Sequence, residues 1–94
     1  MADSAERYRI TLACDGVPSD VGPTAAADIA EEITQRPWHQ NVTCTWDGNA
    51  LILCDENDFD DDGLALMDEF SDAISAYTTA DFGCSIRLVS ASRL

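Results

Sequence analysis

A loop pattern typical of calcium-binding proteins lies at residues 58–69. Its acidic positions are filled by Asp58, Asp60, Asp62 and Glu69. Gly63 stands where the pattern D-x-[DN]-x-[DN]-G-x5-E requires a sharp turn. Because calcium prefers oxygen ligands, the four carboxylates and the backbone carbonyl of Leu64 would surround the ion. The spacing therefore predicts a calcium-binding module as one function of the chain.

The context of this pattern favours a second interpretation, helix capping. The apolar run at residues 50–54 predicts a strand before the loop, where a paired calcium-binding motif needs an entering helix. Ala65 replaces the branched apolar residue that links paired loops, and the sequence contains no second loop. Asp61 or Asp62 would instead accept backbone N–H groups at the start of a helix, where the helix dipole favours anions.

Candidate catalytic and metal-binding groups are few. The acidic run is expected to be exposed, whereas acid–base catalysis needs carboxylates in contrasting, partly desolvated environments. The cysteines form no C-x-x-C pair, which argues against a zinc site, and His39 is the one histidine. An isolated Cys or His without a phosphate loop or a nucleophile motif does not indicate catalysis. We therefore expect a protein that is not an enzyme and needs no cofactor.

The charge and hydrophobic content of the chain limit the classes of partner. It has 94 residues, a net charge of -13 and 46% hydrophobic residues, which predicts a single folded domain spanning residues 1–94. So strong a negative charge excludes nucleic acid and anionic membranes as direct partners and favours cationic ones. An ordinary salt-adapted domain would carry a similar charge, and that alternative stays open.

Hydrophobic periodicity predicts six elements in the order β-α-β-β-α-β. Alternation indicates strands in the segments RYRITLAC, QNVTCTW, NALILC and ADFGCSIRLVSASRL. Helical spacing indicates TAAADIAEEITQR, with Thr24 as its cap and Pro37 at its end, and GLALMDEFSDAISAYT. This order predicts an α+β, ferredoxin-like sandwich in which a four-stranded antiparallel sheet carries two helices on one face.

Alternation also predicts which strand residues face the core. The inward set comprises Tyr8, Ile10, Leu12 and Cys14 in the first strand and Phe82, Cys84, Ile86 and Leu88 in the last. The Asp47-Gly48 pair predicts a hairpin, in which Cys44 faces Leu51 across a two-residue turn or Ile52 across a three-residue turn. The strand cysteines are expected to act as small buried hydrophobes.

The sequence predicts a cytoplasmic protein. Its longest apolar runs fall short of the roughly 18 residues of a membrane span, and its charged N-terminal segment is unlike a signal peptide. In that compartment we expect four reduced thiols. The second strand is expected to form a free edge of the sheet, which predicts a monomer or a weak homodimer.

Acidic and basic residues are strongly segregated along the chain. Nine of the 18 acidic residues fall within residues 55–72, and no Lys or Arg occurs from residue 37 to residue 86. An ordinary solvated helix face would carry basic partners three or four positions away, so these acids are expected to bind a basic surface of another protein. The predicted partner-binding residues are Asp28, Glu31, Glu32, Asp55, Glu56, Asp58, Asp60, Asp61, Asp62, Asp68, Glu69 and Asp72.

In its small size, strong acidity, α/β pattern and lack of catalytic groups, the chain resembles the phage-encoded DNA-mimic inhibitors of the anti-CRISPR type. The resemblance implies a non-enzymatic inhibitor that blocks the DNA-binding groove of a Cas effector in the host cytoplasm. Carboxylates spaced by about 5 to 6 Å on a helix imitate neighbouring phosphates, which is the physical basis of such mimicry. An immunity protein that neutralises a basic nuclease would show the same features.

Overall fold

The computed structural model describes residues 7–58, 60, 62–77 and 85–94. Its elements are β1 (Tyr8–Asp15), α1 (Gly22–Thr34), β2 (Gln40–Trp46), β3 (Ala50–Asn57), α2 (Leu64–Tyr77) and β4 (Ser85–Arg93). The strands form one antiparallel sheet in the order β2-β3-β1-β4. The predicted α+β class, with a four-stranded antiparallel sheet and two helices, is therefore confirmed.

The core lies between one face of the sheet and both helices. On β1, the alternating residues Ile10, Leu12 and Cys14 are fully buried, as their spacing predicts. The helices contribute Ala25, Ala26, Ile29 and Ile33 from α1 and Leu66, Phe70, Ala73 and Ile74 from α2. Because these side chains form a single cluster, both helices cover the same face of the sheet. Phe82 and Cys84, which were predicted to face inward, lie outside the described residues.

The β2–β3 hairpin differs from both predicted registers. Cys44 lies opposite Leu53, and the turn is formed by Gly48 and Asn49. The carboxylate of Asp47 accepts the backbone N–H groups of Asn49 and Ala50 at 2.8 and 2.7 Å, which fixes the turn one residue later than Asp47-Gly48 and moves the partner of Cys44 by two residues. A shift of two residues keeps every side chain on its original face, so the inward position of Cys44 was predicted correctly although its partner was not.

Helix α1 begins earlier than predicted. Val21 is the N-cap residue, and Pro23 lies in the first turn, so the predicted Thr24 cap is wrong. Proline fits there because the first helical N–H groups have no partner within the helix. Gly22 packs against the indole ring of Trp46, and a Cβ atom at this position would clash with that ring. The close approach of helix and strand therefore depends on glycine.

Both edge strands contain irregularities that interrupt regular pairing. On β4, Thr11 pairs with Ser90 and Leu12 pairs with Leu88, so Val89 is an extra residue in the ladder. On β2, the register shifts between Gln40 and Thr43, where Asn41 has a φ of 51°. Such bulges twist an edge strand and reduce its tendency to pair with another chain. The expected free edge at β2 is present, whereas a homodimer stays a prediction.

The cysteines are in different chemical states. Cys14 is disulfide-bonded, so the expectation of four reduced thiols is wrong for this residue. Cys44 and Cys54 are free and partly buried. Burial raises the pKa of the Cys44 thiol to about 12, which keeps it protonated and poorly reactive at neutral pH. Among the described residues, no helix has the length and apolar character needed to cross a membrane.

Candidate functional site

The acidic loop before α2 caps that helix. The carboxylate of Asp60 is buried and accepts the backbone N–H groups of Ala65 and Leu66 at 3.2 and 2.9 Å. Asp62 accepts the N–H of Leu64 at 3.1 Å. These bonds satisfy donors that have no partner within the helix, and they place negative charge at its N-terminus, where the dipole favours it. The capping interpretation therefore accounts for two of the acids in the calcium pattern.

The four acidic residues of the calcium pattern do not converge on one point. Both carboxylate oxygens of Asp60 are directed to backbone N–H groups, while Asp58 is exposed. Glu69 lies on α2 and bonds to His39 and Arg36 instead of reaching back to the loop. Within the described part of the chain, no three His, Cys, Asp or Glu residues are arranged to hold a metal ion.

A buried histidine connects three segments of the fold. His39 Nδ1 lies 2.7 Å from Asp55 Oδ2, and its Nε2 lies 2.9 Å from Glu69 Oε1. Asn57 donates to the same Asp55 oxygen at 2.8 Å, and Arg36 donates from Nε to Glu69 Oε1 at 2.9 Å. The side chains of His39 and Asp55 are completely inaccessible to solvent. We refer to these five residues as the His39 cluster.

The fold explains how the His39 cluster forms. In β3, Asp55 and Asn57 continue the inward alternation of Leu51 and Leu53, so their polar side chains enter the space beneath the helices. A backbone hydrogen bond of 3.2 Å from the N–H of His39 to the carbonyl of Arg36 forms a turn after α1. That turn places the His39 ring beside Asp55 and Glu69 and the Arg36 side chain beside Glu69.

The bonds of the His39 cluster require a shared proton. Each nitrogen of the ring faces a carboxylate oxygen, and a neutral imidazole can donate from only one nitrogen. Either the ring is doubly protonated, or one of the two carboxyl groups carries the proton. The pKa of Asp55 is raised, mainly because burial removes water from its charged form, although hydrogen bonds from Asn57 and His39 oppose this effect. Asp55 Oδ1 is buried and has no hydrogen-bond partner in the described structure.

The His39 cluster is not arranged for catalysis. A general base must reach a proton of the substrate, but the imidazole of His39 is enclosed and both of its nitrogens face protein carboxylates. What the arrangement can do is hold a proton inside the fold and join α2 to β3.

Basic residues distant in sequence neutralise part of the acidic segment. Glu56 on β3 bonds to Arg7 and Arg9 at 3.3 and 2.9 Å and accepts a hydrogen bond from Asn41. The pKa of Glu56 is lowered, first by the Asn41 bond and then by Arg9. Glu69 likewise bonds to Arg36. The lack of basic residues nearby in sequence therefore does not leave these two acids unpaired, because their partners come from other elements.

The predicted partner-binding residues occupy different environments. Those that are exposed are Asp28, Glu31, Glu32, Asp58, Asp62, Asp68 and Asp72. Glu56 and Glu69 are half-buried and paired, Asp55 and Asp60 are buried, and Asp61 lies outside the described residues. The structure therefore removes Asp55 and Asp60 from the surface and leaves the seven exposed acids, which we call the acidic face.

Charge is segregated between the two sides of the molecule. Arg7 precedes β1, Arg9 lies on β1, and Arg87 and Arg93 lie on β4. In the described structure, Arg36 brings a positive charge beside the helices and bonds to Glu32 and Glu69. Arg93 lies opposite Tyr8, which packs against the core, so it does not share the open face of the sheet with Arg9 and Arg87. The segregation of acidic and basic residues along the sequence is therefore accompanied by a segregation of described charges in the fold.

An apolar groove runs beside the acidic face. Its described lining includes Leu64 and Met67 from α2 and Ile86 from β4, with Asp68 at its side. Leu64 is 64% exposed. The groove thus places apolar contact area next to exposed carboxylates.

Sequence reasoning missed the roles of His39, Arg36 and Asn57. A signal was present, since the inward phase of Leu51 and Leu53 extends to Asp55 and a buried carboxylate requires a polar partner. It did not identify that partner, because Glu69 and His39 are brought together only by the tertiary fold. Comparison of the chain with family models, curated proteins and solved structures finds no match.

Proposed function

We propose that this chain is a non-enzymatic binding protein whose acidic face occupies a basic, nucleic-acid-binding surface of another protein. The observation that carries the proposal is the segregation of charge: the seven carboxylates of the acidic face are exposed, whereas three of the five described arginines lie on the open face of the sheet, where they bond to Glu56 and Asp15. Glu32 alone among these seven acids has a basic partner in the described structure. Since like charges on a surface repel one another, the acidic face favours a cationic partner.

The spacing of these carboxylates suits a site that normally binds phosphates. Asp28 and Glu32 on α1, and Asp68 and Asp72 on α2, are separated by four residues and are exposed on their helices. Side chains at this spacing stand about 5 to 6 Å apart, which is of the same order as the distance between neighbouring phosphates. A row of lysines or arginines that contacts a phosphate backbone would therefore find acceptors at similar intervals.

The apolar groove would strengthen such a complex. Interfaces derive much of their binding energy from a dry centre, while charges at the rim act mainly on association rate and specificity. Leu64 and Met67 supply apolar area next to Asp68. An apolar side chain of the partner could enter the groove while basic side chains around it contact the acidic face.

We also propose that the fold is the ferredoxin-like sandwich. Read from the other edge, the strand order is β4-β1-β3-β2, and the element order is that of the split β-α-β motif. In this arrangement the two helices lie side by side, so their outer surfaces present carboxylates as one face.

The proposed partner is a basic nucleic-acid-binding protein of the same cytoplasm. A Cas effector and a basic nuclease both present the required surface, the first as the target of an inhibitor and the second as the target of an immunity protein. Competition with nucleic acid is common to both. It therefore tests the class of function before the partner is identified.

The experiment begins with a partner selected by salt-sensitive capture. The tagged chain is incubated with lysate from CRISPR-bearing or phage-infected cells, and proteins eluted by raising the salt concentration are identified and purified. Each is then titrated with fluorescent duplex DNA in the presence of the chain. We expect the chain to displace the DNA with one-to-one stoichiometry and to lose affinity as salt rises. If no captured protein gives up its DNA, the proposal is wrong.

Matched variants separate the acidic face from net charge alone. Asp68→Asn with Asp72→Asn raises the net charge by two through α2, whereas Thr43→Lys with Thr45→Lys raises it by two on exposed positions of β2. We expect the first pair to weaken displacement about tenfold or more, because contacts at the interface are lost. The second pair should affect displacement only through the long-range electrostatic field of the protein. Equal effects of the two pairs would contradict a specific acidic face.

A further inference from the structure

We propose that the His39 cluster is a proton-dependent latch that holds α2 against β3 and opens on the α2 side when the shared proton is lost. This inference concerns the conformation of the chain and does not depend on the identity of a partner. It rests on the burial of the cluster and on its connections.

The cluster joins parts of the fold that are distant in sequence. Asp55 on β3 and Glu69 on α2 both contact His39, which lies in the turn between α1 and β2. Arg36, from the same turn, bonds to Glu69 and extends the chain of contacts to the surface. The imidazole ring is therefore one of two polar connections between β3 and α2 in the described structure. The other runs from Asn57, which accepts the backbone N–H of Asp60 at 2.7 Å, through the Asp60 carboxylate that caps α2.

A proton count shows why this attachment depends on pH. The titratable or charged groups that face His39 in the described structure are Asp55 from β3 and Glu69 from α2, and Arg36 acts on it through Glu69. With the shared proton on the ring, the positive charges of Arg36 and His39 balance the negative charges of Asp55 and Glu69. With the proton on Asp55, both Asp55 and His39 are neutral, and Arg36 balances Glu69. Without that proton, the cluster carries a net negative charge, and a carboxylate oxygen faces a bare ring nitrogen. An uncompensated charge of this kind is costly inside a protein.

The side on which the latch opens follows from solvent access. The side chain of Asp55 is fully buried in the sheet, whereas that of Glu69 is 21% exposed and is already bonded to Arg36 near the surface. Glu69 can reach water by a small movement of α2. Movement of Asp55 would require β3 to leave the centre of the sheet, where it pairs with β1 and β2. We therefore expect α2 to open first.

The direction of the pH effect agrees with the state of Asp55. Its pKa is raised above the ordinary value of 3.8 by burial. A group whose folded pKa is raised contributes stability that is complete below its unfolded pKa and is lost as pH rises through the folded value. We therefore expect a rise in pH to remove the proton and to release α2.

Hydrogen exchange measured by NMR tests the latch in the intact chain. Protection factors of α2 and β1 amides are compared between about pH 5 and about pH 9, after correction for the intrinsic pH dependence of exchange. We expect protection in α2 to fall relative to β1, with a limit of about tenfold per pH unit for a single proton. A parallel fall in both elements would overturn the proposal.

Glu69→Gln is the decisive variant. Glu69 Oε1 both faces His39 Nε2 and accepts from Arg36, so the glutamine amide must turn to direct its NH2 group to Nε2 and its oxygen to Arg36. With Nδ1–H donating to Asp55, both ring nitrogens are then satisfied without the shared proton, and Arg36 balances Asp55. The α2-specific fall in protection should then disappear. Asp72→Asn removes one charge from an exposed position of α2 and should retain the fall. Asp55→Asn, which makes the same charge change from the sheet side, should also abolish the fall and provides a second measurement should Glu69→Gln not fold. Persistence of the fall in both cluster variants would show that the proton is not held there.

Discussion

His39 and Asp55 are 16 residues apart in sequence, and their side chains meet at 2.7 Å in the interior of the protein. The ring and the carboxylate are both completely inaccessible to solvent. A buried charge of either sign is tolerated only when it is paired and hydrogen-bonded. His39 and Asp55 can therefore be buried because each supplies a hydrogen-bonding partner to the other.

Replacement of His39 by alanine should strongly destabilise the protein. The variant leaves Asp55 in the interior without the ring that bonds to it, and loss of one member of a buried pair costs about 3 to 5 kcal/mol. Urea unfolding at pH 7 measures the change. Trp38→Ala, at the neighbouring and 48% exposed position, is the control and should cost much less. Replacement of both members in His39→Leu with Asp55→Leu should recover a large part of the loss, because no unpaired charge remains. Similar losses in the two single variants would contradict this account.

Asp60→Ala should weaken the start of α2. Asp60 accepts two backbone N–H groups from a buried position, whereas Asp62 accepts one from an exposed position. Loss of a helix cap costs about 0.5 to 2 kcal/mol, and the buried donor at Leu66 and the partly buried donor at Ala65 place Asp60 at the upper end of that range. Urea unfolding of Asp60→Ala and Asp62→Ala should show the larger loss for Asp60. The reverse order would show that the capping bonds do not determine stability here.

Much of the fold follows from local sequence patterns. The alternation of Ile10, Leu12 and Cys14 identifies the buried face of β1, and the helical spacing in residues 63–78 predicts α2, which is observed over Leu64–Tyr77. These patterns succeed because each element buries one face, and the period of its apolar residues records that face.

The interactions between different helices and strands could not be predicted from local sequence patterns. The pairing of Arg7 and Arg9 with Glu56 spans more than forty residues, and neither end indicates the other. The predicted hairpin register was wrong for a local reason. Asp47 lies before the turn and fixes it with its side chain, so Asp47 is not one of the two turn residues. Composition therefore identified an acidic protein, while tertiary packing determined which acids are exposed.

Gly22→Ala should cost more than an ordinary glycine substitution in a helix. A methyl group at this position would clash with the indole of Trp46, and overpacking of this kind costs about 1 to 3 kcal/mol. Gly48 is the matched control: its φ of +100° strains any other residue, but nothing lies within 4 Å of a Cβ atom there. Thermal unfolding should show a loss in both variants. Only in Gly22→Ala should it be accompanied by a change in Trp fluorescence, and equal fluorescence changes would contradict the predicted contact.

Calcium should leave the stability of the protein unchanged. Asp60 is directed to backbone N–H groups and Glu69 to His39 and Arg36, so a calcium ion would have to break the helix cap and the His39 cluster to bind. A sensor-type loop saturated at about 100 times its dissociation constant would stabilise the fold by about 2.7 kcal/mol and raise Tm by several degrees. Differential scanning fluorimetry in calcium, in magnesium and in chelator measures this effect. A calcium-specific rise in Tm would restore the calcium-binding interpretation of residues 58–69.

Glu56 should contribute to stability at neutral pH and lose that contribution in acid. Its pKa is lowered from 4.5, chiefly by the hydrogen bond from Asn41 and then by that from Arg9. A lowered folded pKa means that the contribution is present above the unfolded value and is lost as pH falls through the lower folded value. Glu56→Gln should therefore be less stable than the native protein at pH 7 and should show a flatter dependence of unfolding free energy on pH in the acid range.

Glu31→Gln, at an exposed position of α1, is the control for the loss of one charge and should keep the native acid dependence. Urea unfolding at low and high salt separates the two effects, because the hydrogen bonds to Glu56 persist in salt while long-range repulsion is screened. If both variants change the acid dependence equally, the bonds to Glu56 do not contribute to stability and the effect belongs to net charge.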